Sequence, residues 1–154
     1  MLMMKKVQIQ KRMITRLLKI KEVYAHCDIP CGIYDPHSAQ IAALTVLRMM
    51  DLIAENGDNP RYVAVKEEHA EICKHEIRVI WGDAIKDNSS DDLTHKIMQV
   101  ASRCKQGSDR KDGEELLDLV NQFAEKFWQS KSIEVKKVKA PYKPEEEIVE
   151  PDLQ

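Results

Sequence analysis

Four stretches of helical period, each bounded by residues that start or stop helices, constrain the fold of this 154-residue chain most strongly. Asp35-Pro36 and Asn59-Pro60 begin the first two stretches, because Asp and Asn cap helices and proline suits the first helical position. Gly57 follows the first stretch, as glycine commonly does where a helix ends. No segment alternates as a strand does. Four helices with short connections predict an all-α fold, an antiparallel up-down four-helix bundle.

The helix bounds follow from the same residues. We expect helices from Asp35 to about Glu55, from Asn59 to the turn at 87–90, from Ser90 to near Gly107, and from about Asp112 onward.

The predicted inner faces follow the helical period. On the second helix the stripe is Val65, His69, Ile72, Cys73, Glu76, Ile77, Ile80 and Ala84. On the third and fourth it is Leu93, Ile97, Met98, Ala101 and Cys104, then Leu116, Leu119, Val120, Phe123 and Phe127. The first helix is apolar around most of its circumference. A helix of that kind packs on more than one side, so we expect subunit contacts there as well as a core.

Residues 26–36, with the sequence HCDIPCGIYDP, contain two of the four cysteines and one of the five histidines and are termed the hook. Three residues separate Cys27 from Cys31, and Pro30 and Gly32 bend the chain between and after them. Thiolates favour zinc, copper(I) or iron–sulfur centres. Zinc would need a second ligand pair, and an iron–sulfur cluster more cysteines. By spacing alone, a redox disulfide or a coincidental pair of thiols explains the two cysteines as well as a metal does.

The residues before the hook change this balance. Val23-Tyr24-Ala25 resembles the pattern that precedes a peptidase cleavage site. A cut after Ala25 would make His26 the amino terminus, with an α-amine and an imidazole. The backbone nitrogen and thiolate of Cys27 and the thiolate of Cys31 would complete a planar N2S2 set with an axial imidazole. That donor set favours nickel(II) or copper(II) over zinc.

The hook resembles that of nickel-containing superoxide dismutase nearly residue for residue, and the resemblance spans residues 26–131. It implies a superoxide dismutase that cycles between Ni(II) and Ni(III), with nickel bound by His26, Cys27 and Cys31. It implies that Tyr34 controls access of substrate and protons, although a core tyrosine at the start of the helix is the alternative. It also implies a homohexamer and a superoxide substrate. Supporting residues around the metal are expected at Asp28, Pro30 and Gly32.

One departure from the family concerns the support of the axial imidazole. Many members orient that ring with a first-helix glutamate and a second-helix arginine, and counting along the resemblance places Ala42 and His69 there. The same ion pair is therefore not expected. His69, or Glu68 beside it, could take the place of this ion pair from a neighbouring subunit. The alternative for His69 is a histidine whose hydrogen bonds are satisfied within an interface.

Charge and composition divide the chain into three parts. Residues 1–25 carry a net charge of +6, which leaves −8 for the remainder of a chain of net charge −2. We interpret residues 1–25 as a propeptide removed by a maturation peptidase; a targeting presequence or a mis-assigned start codon is the alternative. Residues 26–131 form the hook and bundle. Residues 132–154, rich in Lys, Pro and Glu, are expected to be disordered.

The remaining composition bounds location and partners. Four cysteines without a secretory leader favour a reducing, cytoplasmic location, and no apolar run approaches membrane-spanning length. We expect neither a nucleic acid nor a membrane as partner. Cys73 and Cys104 are expected to be buried thiols, Trp81 and Trp128 packing residues, and His37, His75 and His95 ordinary surface or helix histidines. Because the processed chain is acidic and superoxide is an anion, Lys66 and Arg61 are the candidates for local steering.

Two other functions stay open at this point. The chain could hold nickel or copper without turnover, as a metallochaperone does, or it could be an inactive scaffold whose leader is never removed.

Overall fold

The computed structural model describes residues 32–153. The chain divides between Ile33 and Tyr34 into two units, and all the described helices and strands lie in the second. Helix α1 spans His37–Asn56, α2 Pro60–Val79, α3 Asp91–Gln106 and α4 Arg110–Ser130, with one π-helical turn, Ile80–Ala84, directly after α2. Strands β1, Val135–Lys139, and β2, Glu147–Pro151, complete the order. None of the helices in this part of the chain combines the length and apolar character needed to cross a membrane.

The four helices form a bundle, as predicted. Each helix packs against the next in the chain, and α4 closes the ring by packing against α1. The buried side chains of α3 and α4 include the predicted stripes, except that Met98 and Leu119 are only half-buried, and extend to Thr94, Val100, Leu117 and Ala124. Burial of these apolar faces is the main force that holds helices of this length together, because isolated helices are marginally stable in water.

Local side chains explain where the helices begin and end. The Asn59 side chain accepts a hydrogen bond from the Arg61 N–H at 2.9 Å, which confirms the predicted start of α2. Asp109 accepts one from the Lys111 N–H at 3.0 Å, so α4 begins at Arg110, two residues before the predicted Asp112. Gly57 adopts a φ of 82° beyond α1, a region that favours glycine.

Helix α1 is the centre of the structure and is buried around most of its circumference. It packs against α2, α4 and β2. Its buried residues are Ala39, Gln40, Ala42, Ala43, Leu44, Val46, Leu47, Met50 and Ile53. Elements of the same chain therefore cover most of this apolar surface, so its extent no longer argues for a subunit contact.

The buried face of α2 differs from the predicted one. It runs through Lys66, Ala70, Cys73 and Ile77 and continues to Ile80, whereas Ile72 is 37% exposed. The observed buried face is displaced by about one residue along the chain from the predicted face. Val65 was predicted to point inward because it is apolar, but the neighbouring Lys66 occupies that position.

The carboxy-terminal segment is ordered, and the prediction of a disordered tail was wrong for most of it. Strands β1 and β2 pair antiparallel, with Val135 opposite Pro151 and Lys139 opposite Glu147. Ile148 and Val149 are 2% and 1% exposed. Composition suggested disorder because charged residues dominate. Here Lys136 and Lys139 lie opposite Glu150 and Glu147, and two apolar side chains of β2 are buried against the bundle.

Replacement of Ile148 by alanine tests whether this hairpin is part of the folded domain. Loss of a buried isoleucine side chain should lower the free energy of unfolding by about 2–4 kcal/mol. Leu153→Ala is the matched control, because Leu153 is 76% exposed. Denaturant unfolding measures both variants, and equal, negligible effects would show that the hairpin is not packed.

Candidate metal centre

The described structure begins inside the hook. The predicted cleavage site Ala25 and the hook residues His26, Cys27, Asp28, Pro30 and Cys31 all lie outside the residues that the structure describes. Gly32 has a φ of 75°, a left-handed conformation that other residues rarely adopt. A glycine is therefore needed directly after Cys31.

The last residues of the hook attach to α1. The Asp35 carboxylate accepts a hydrogen bond from the His37 N–H at 2.8 Å, which satisfies one of the free donors at the helix start. Pro36 is buried beside it. Tyr34 is half-buried and packs against the hydrophobic core. These contacts fix the point at which the chain enters α1.

The two positions that depart from the family pattern lie on neighbouring helices. Ala42 is 2% exposed in α1, and its methyl group cannot form a hydrogen bond. His69 in α2 is half-buried, and its Nδ1 lies 2.9 Å from the Val65 carbonyl oxygen. Because a carbonyl only accepts, we assign the proton to Nδ1. In the neutral ring, Nε2 is then an acceptor.

The two cysteines of the bundle are poor metal ligands. Cys73 and Cys104 are both fully buried, and burial raises the pKa of each thiol to about 12. A thiol must lose its proton before it binds a metal ion. Within residues 32–153, no group of three or more His, Cys, Asp and Glu side chains is arranged to hold a metal ion.

Lys66 is not a surface charge. It is 1% exposed, and its Nζ donates to the carbonyl oxygens of Gly107 at 2.5 Å and Lys105 at 3.3 Å, and also to that of Cys104. These carbonyls lie at the carboxyl end of α3, where backbone acceptors lack helical partners and the helix dipole favours a cation. Burial lowers the pKa of the ammonium. Lys66 therefore caps α3, and its predicted role in steering superoxide was wrong; Arg61 remains exposed.

The Lys66 cap was not predicted, although the position of Lys66 in the helical period indicated that it is buried. Positions 66, 70, 73, 77 and 80 follow the helical period, and only the lysine broke the apolar pattern. The prediction that Trp81 is a packing residue was wrong, because Trp81 is 38% exposed and donates from Nε1 to Asp91 at 2.8 Å. Trp128 packs edge-on against Phe127, with ring centroids 5.0 Å apart, as predicted. His37, His75 and His95 are exposed, also as predicted.

Known proteins resemble this chain over the hook and the bundle. A family model for nickel-containing superoxide dismutase matches residues 21–131. The nickel superoxide dismutases of Streptomyces seoulensis and Streptomyces coelicolor are each 34% identical over 129 residues, covering 77% of this chain and 98% of theirs. A native nickel superoxide dismutase structure is similar with a TM-score of 0.65 at 33% identity, covering 70% of this chain and 99% of that one. The hairpin begins at Val135, beyond the matched residues.

Replacement of Lys66 by methionine tests its role as a cap. The change leaves the carbonyl group of Cys104 buried without its donor, so unfolding should become easier by about 2–4 kcal/mol. Lys96→Met makes the same chemical change at an exposed position of α3 and should be nearly neutral. Thermal or denaturant unfolding compares the two. A stable Lys66→Met protein would contradict the assigned cap.

Proposed function

The chain belongs to the nickel-containing superoxide dismutase family, and from this premise we propose how its residues carry out the reaction. It is a nickel-dependent oxidoreductase that converts two superoxide anions and two protons into dioxygen and hydrogen peroxide. The family match over residues 21–131 carries this conclusion, because it includes the hook and all four helices.

The proposed nickel ligands are His26, Cys27 and Cys31. The cleaved chain would offer the α-amine and imidazole of His26, the backbone nitrogen and thiolate of Cys27 and the thiolate of Cys31. Nickel suits such a mixed nitrogen and sulfur set. Two observations support the assignment: Gly32 turns the chain directly after Cys31, and burial keeps the two bundle thiols protonated.

Nickel, when bound, supplies the one-electron couple that takes an electron from one superoxide and returns it to the next. The Cys27 and Cys31 thiolates donate electron density, which makes the higher oxidation state accessible. The His26 nitrogen is a neutral amine donor only when it is the amino terminus. In an uncut chain it would be an amide, whose lone pair is delocalised into the carbonyl group unless its proton is removed, as the proton of the proposed Cys27 nitrogen ligand would have to be. Residues 1–25 are therefore proposed to be a propeptide that a maturation peptidase removes.

Tyr34 is proposed to control how superoxide and protons reach the metal. It lies three residues after Cys31, and its packing against the core limits the positions its phenol can take. A ring fixed in this way can exclude larger anions and hold a proton near the metal, as groups around a metal site commonly do. Asp28 and Pro30 are proposed to shape the hook between the two thiolates.

His69 is proposed to support the His26 imidazole in place of the family's ion pair. Its Nδ1 is occupied by the Val65 carbonyl, so Nε2 is the nitrogen that could accept a hydrogen bond from another ring. The buried Ala42 can supply no such bond. Substitution His69→Ala should weaken nickel binding, and unchanged affinity in a chelator competition would remove His69 from the site.

The assembly and location are proposals that follow from the family. A homohexamer is expected, in a cytoplasmic compartment that keeps thiols reduced. Mass measurement of the native complex tests the subunit number, and cell fractionation tests the location.

Nickel loading and superoxide consumption by defined forms of the chain test the proposed function. Protein that begins at His26 should bind one nickel ion per chain and consume superoxide, whereas the full 154-residue chain should do neither. Cys27→Ser in the shortened form should abolish turnover, since it removes a thiolate. Nickel binding without turnover would favour a passive metal carrier. Full activity in the uncut chain would contradict the role of the terminal amine.

Replacement of Tyr34 by phenylalanine separates the two roles considered for this residue. The ring and its packing remain, so nickel should stay bound. Loss of the hydroxyl should change turnover or inhibition by small anions by roughly tenfold. Stopped-flow decay of superoxide, with and without azide, measures both. An unchanged profile would mean that Tyr34 serves packing alone.

A further inference from the structure

The hairpin is an addition to the part of the chain that its relatives share. The family match ends at residue 131, and β1 begins at Val135. The Streptomyces relatives are covered over 98% of their length. The hairpin nevertheless packs against both α1 and α4. An added element that contacts the central helix can affect what that helix carries.

One buried side chain connects the hairpin with the beginning of α1. Gln40 is fully buried in the first turn of α1, and its Nε2 donates to Asn121 Oδ1 at 2.9 Å and to the Val149 carbonyl at 3.1 Å. Asn121, in α4, donates from Nδ2 to the Glu147 carbonyl at 2.9 Å. Gln40 thus joins α1, α4 and β2 at a single point.

A second connection lies further along α1. Arg110 bonds Asp51 of α1 at 2.7 Å and Glu146, just before β2, at 2.9 Å. Asp51 follows Gln40 by three helical turns, roughly 16 Å along the axis. The hairpin is therefore attached to α1 at two separated points. The Arg110 side chain is 42% exposed, so the buried Gln40 contact should contribute more.

The Gln40 contact lies close to the hook in the sequence. Gln40 also donates its backbone N–H to the Pro36 carbonyl at 3.1 Å, and only four residues separate Pro36 from Cys31. A metal ion must compensate the conformational entropy that its ligand-bearing segment loses on binding. If the first turn of α1 is already held in place, less of the chain has to be ordered when the metal binds, and the entropy cost is smaller.

We propose that the hairpin braces the start of α1 and that Gln40 is the positioning residue through which it raises the nickel affinity of the hook. The predicted change in nickel affinity rests on the proposed function. The brace itself does not depend on that function, because it is formed by contacts within residues 34–153.

Gln40→Met is the variant of choice. Methionine has similar volume and removes both side-chain hydrogen bonds. It also removes Gln40 Oε1, which is buried and has no hydrogen-bond partner within residues 32–153, so the loss of global stability should be modest. Ile97→Val, in the core of α3, provides a control for modest destabilisation away from the hairpin, and Lys136→Ala one for an exposed hairpin residue.

Two measurements, made on protein that comprises residues 26–154, test whether the hairpin braces α1 and raises nickel affinity. In Gln40→Met, amide hydrogen exchange over residues 37–41 of the metal-free protein should accelerate roughly five- to tenfold. Nickel affinity, from competition with a chelator, should fall by a similar factor. Neither should change in Lys136→Ala. Addition of Asn121→Ala to Gln40→Met should have less than the summed effect of the two single changes, because the two side chains are hydrogen-bonded to each other.

The two measurements test the brace and the proposed dismutase function separately. Unchanged exchange in Gln40→Met, or an equal loss of nickel affinity in Ile97→Val, would overturn the proposal. If the unsubstituted protein binds no nickel, the proposed function fails, while the exchange measurement still decides whether the hairpin braces α1.

Discussion

Burial of α1 is the constraint on which the rest of the structure depends. Three alanines on this helix, Ala39, Ala42 and Ala43, are at most 2% exposed, and such small side chains let neighbouring helices approach closely. Helix α4 comes close to α1 at Gly113, where an added Cβ would lie 2.8 Å from side-chain atoms of both Leu47 and Met50. The helix that continues from the hook is thus held by α2, α4 and β2 together.

Two buried polar side chains, Lys66 and Gln40, then join elements that are distant in the sequence. Lys66 neutralises the carboxyl end of α3, and Gln40 bonds the backbone of β2. Lys66 donates to carbonyl groups that the end of α3 leaves available, and Gln40 donates to the Asn121 side chain and to the Val149 carbonyl; an apolar residue at either position would leave those acceptors without their donor. Such contacts add modestly to stability, but they select one arrangement of α2 against α3 and of the hairpin against α1.

The chain separates two kinds of cysteine. Cys73 and Cys104 are buried among apolar helices with pKa values raised to about 12, which suppresses thiolate chemistry. Cys27 and Cys31 lie in the hook, where the proposed chemistry needs both as thiolates. An enzyme that produces hydrogen peroxide gains from this separation, because peroxide oxidises thiolates far faster than protonated thiols. In the proposed function, nickel binds the two hook sulfurs.

The sequence by itself determined the helical bundle, the helix ends at Asn59 and Gly57 and the candidate nickel ligands. These depend on local signals: the helical period, Asn59 and Gly57 at helix ends, and a hook whose donor atoms lie within six residues of one another. Only the tertiary structure decided the inner face of α2, the cap formed by Lys66 and the docking of the hairpin. Each of these joins residues far apart in the chain, such as Lys66 with Gly107 and Gln40 with Val149. A charged or polar residue gives no local sign of the distant carbonyl that makes its burial favourable.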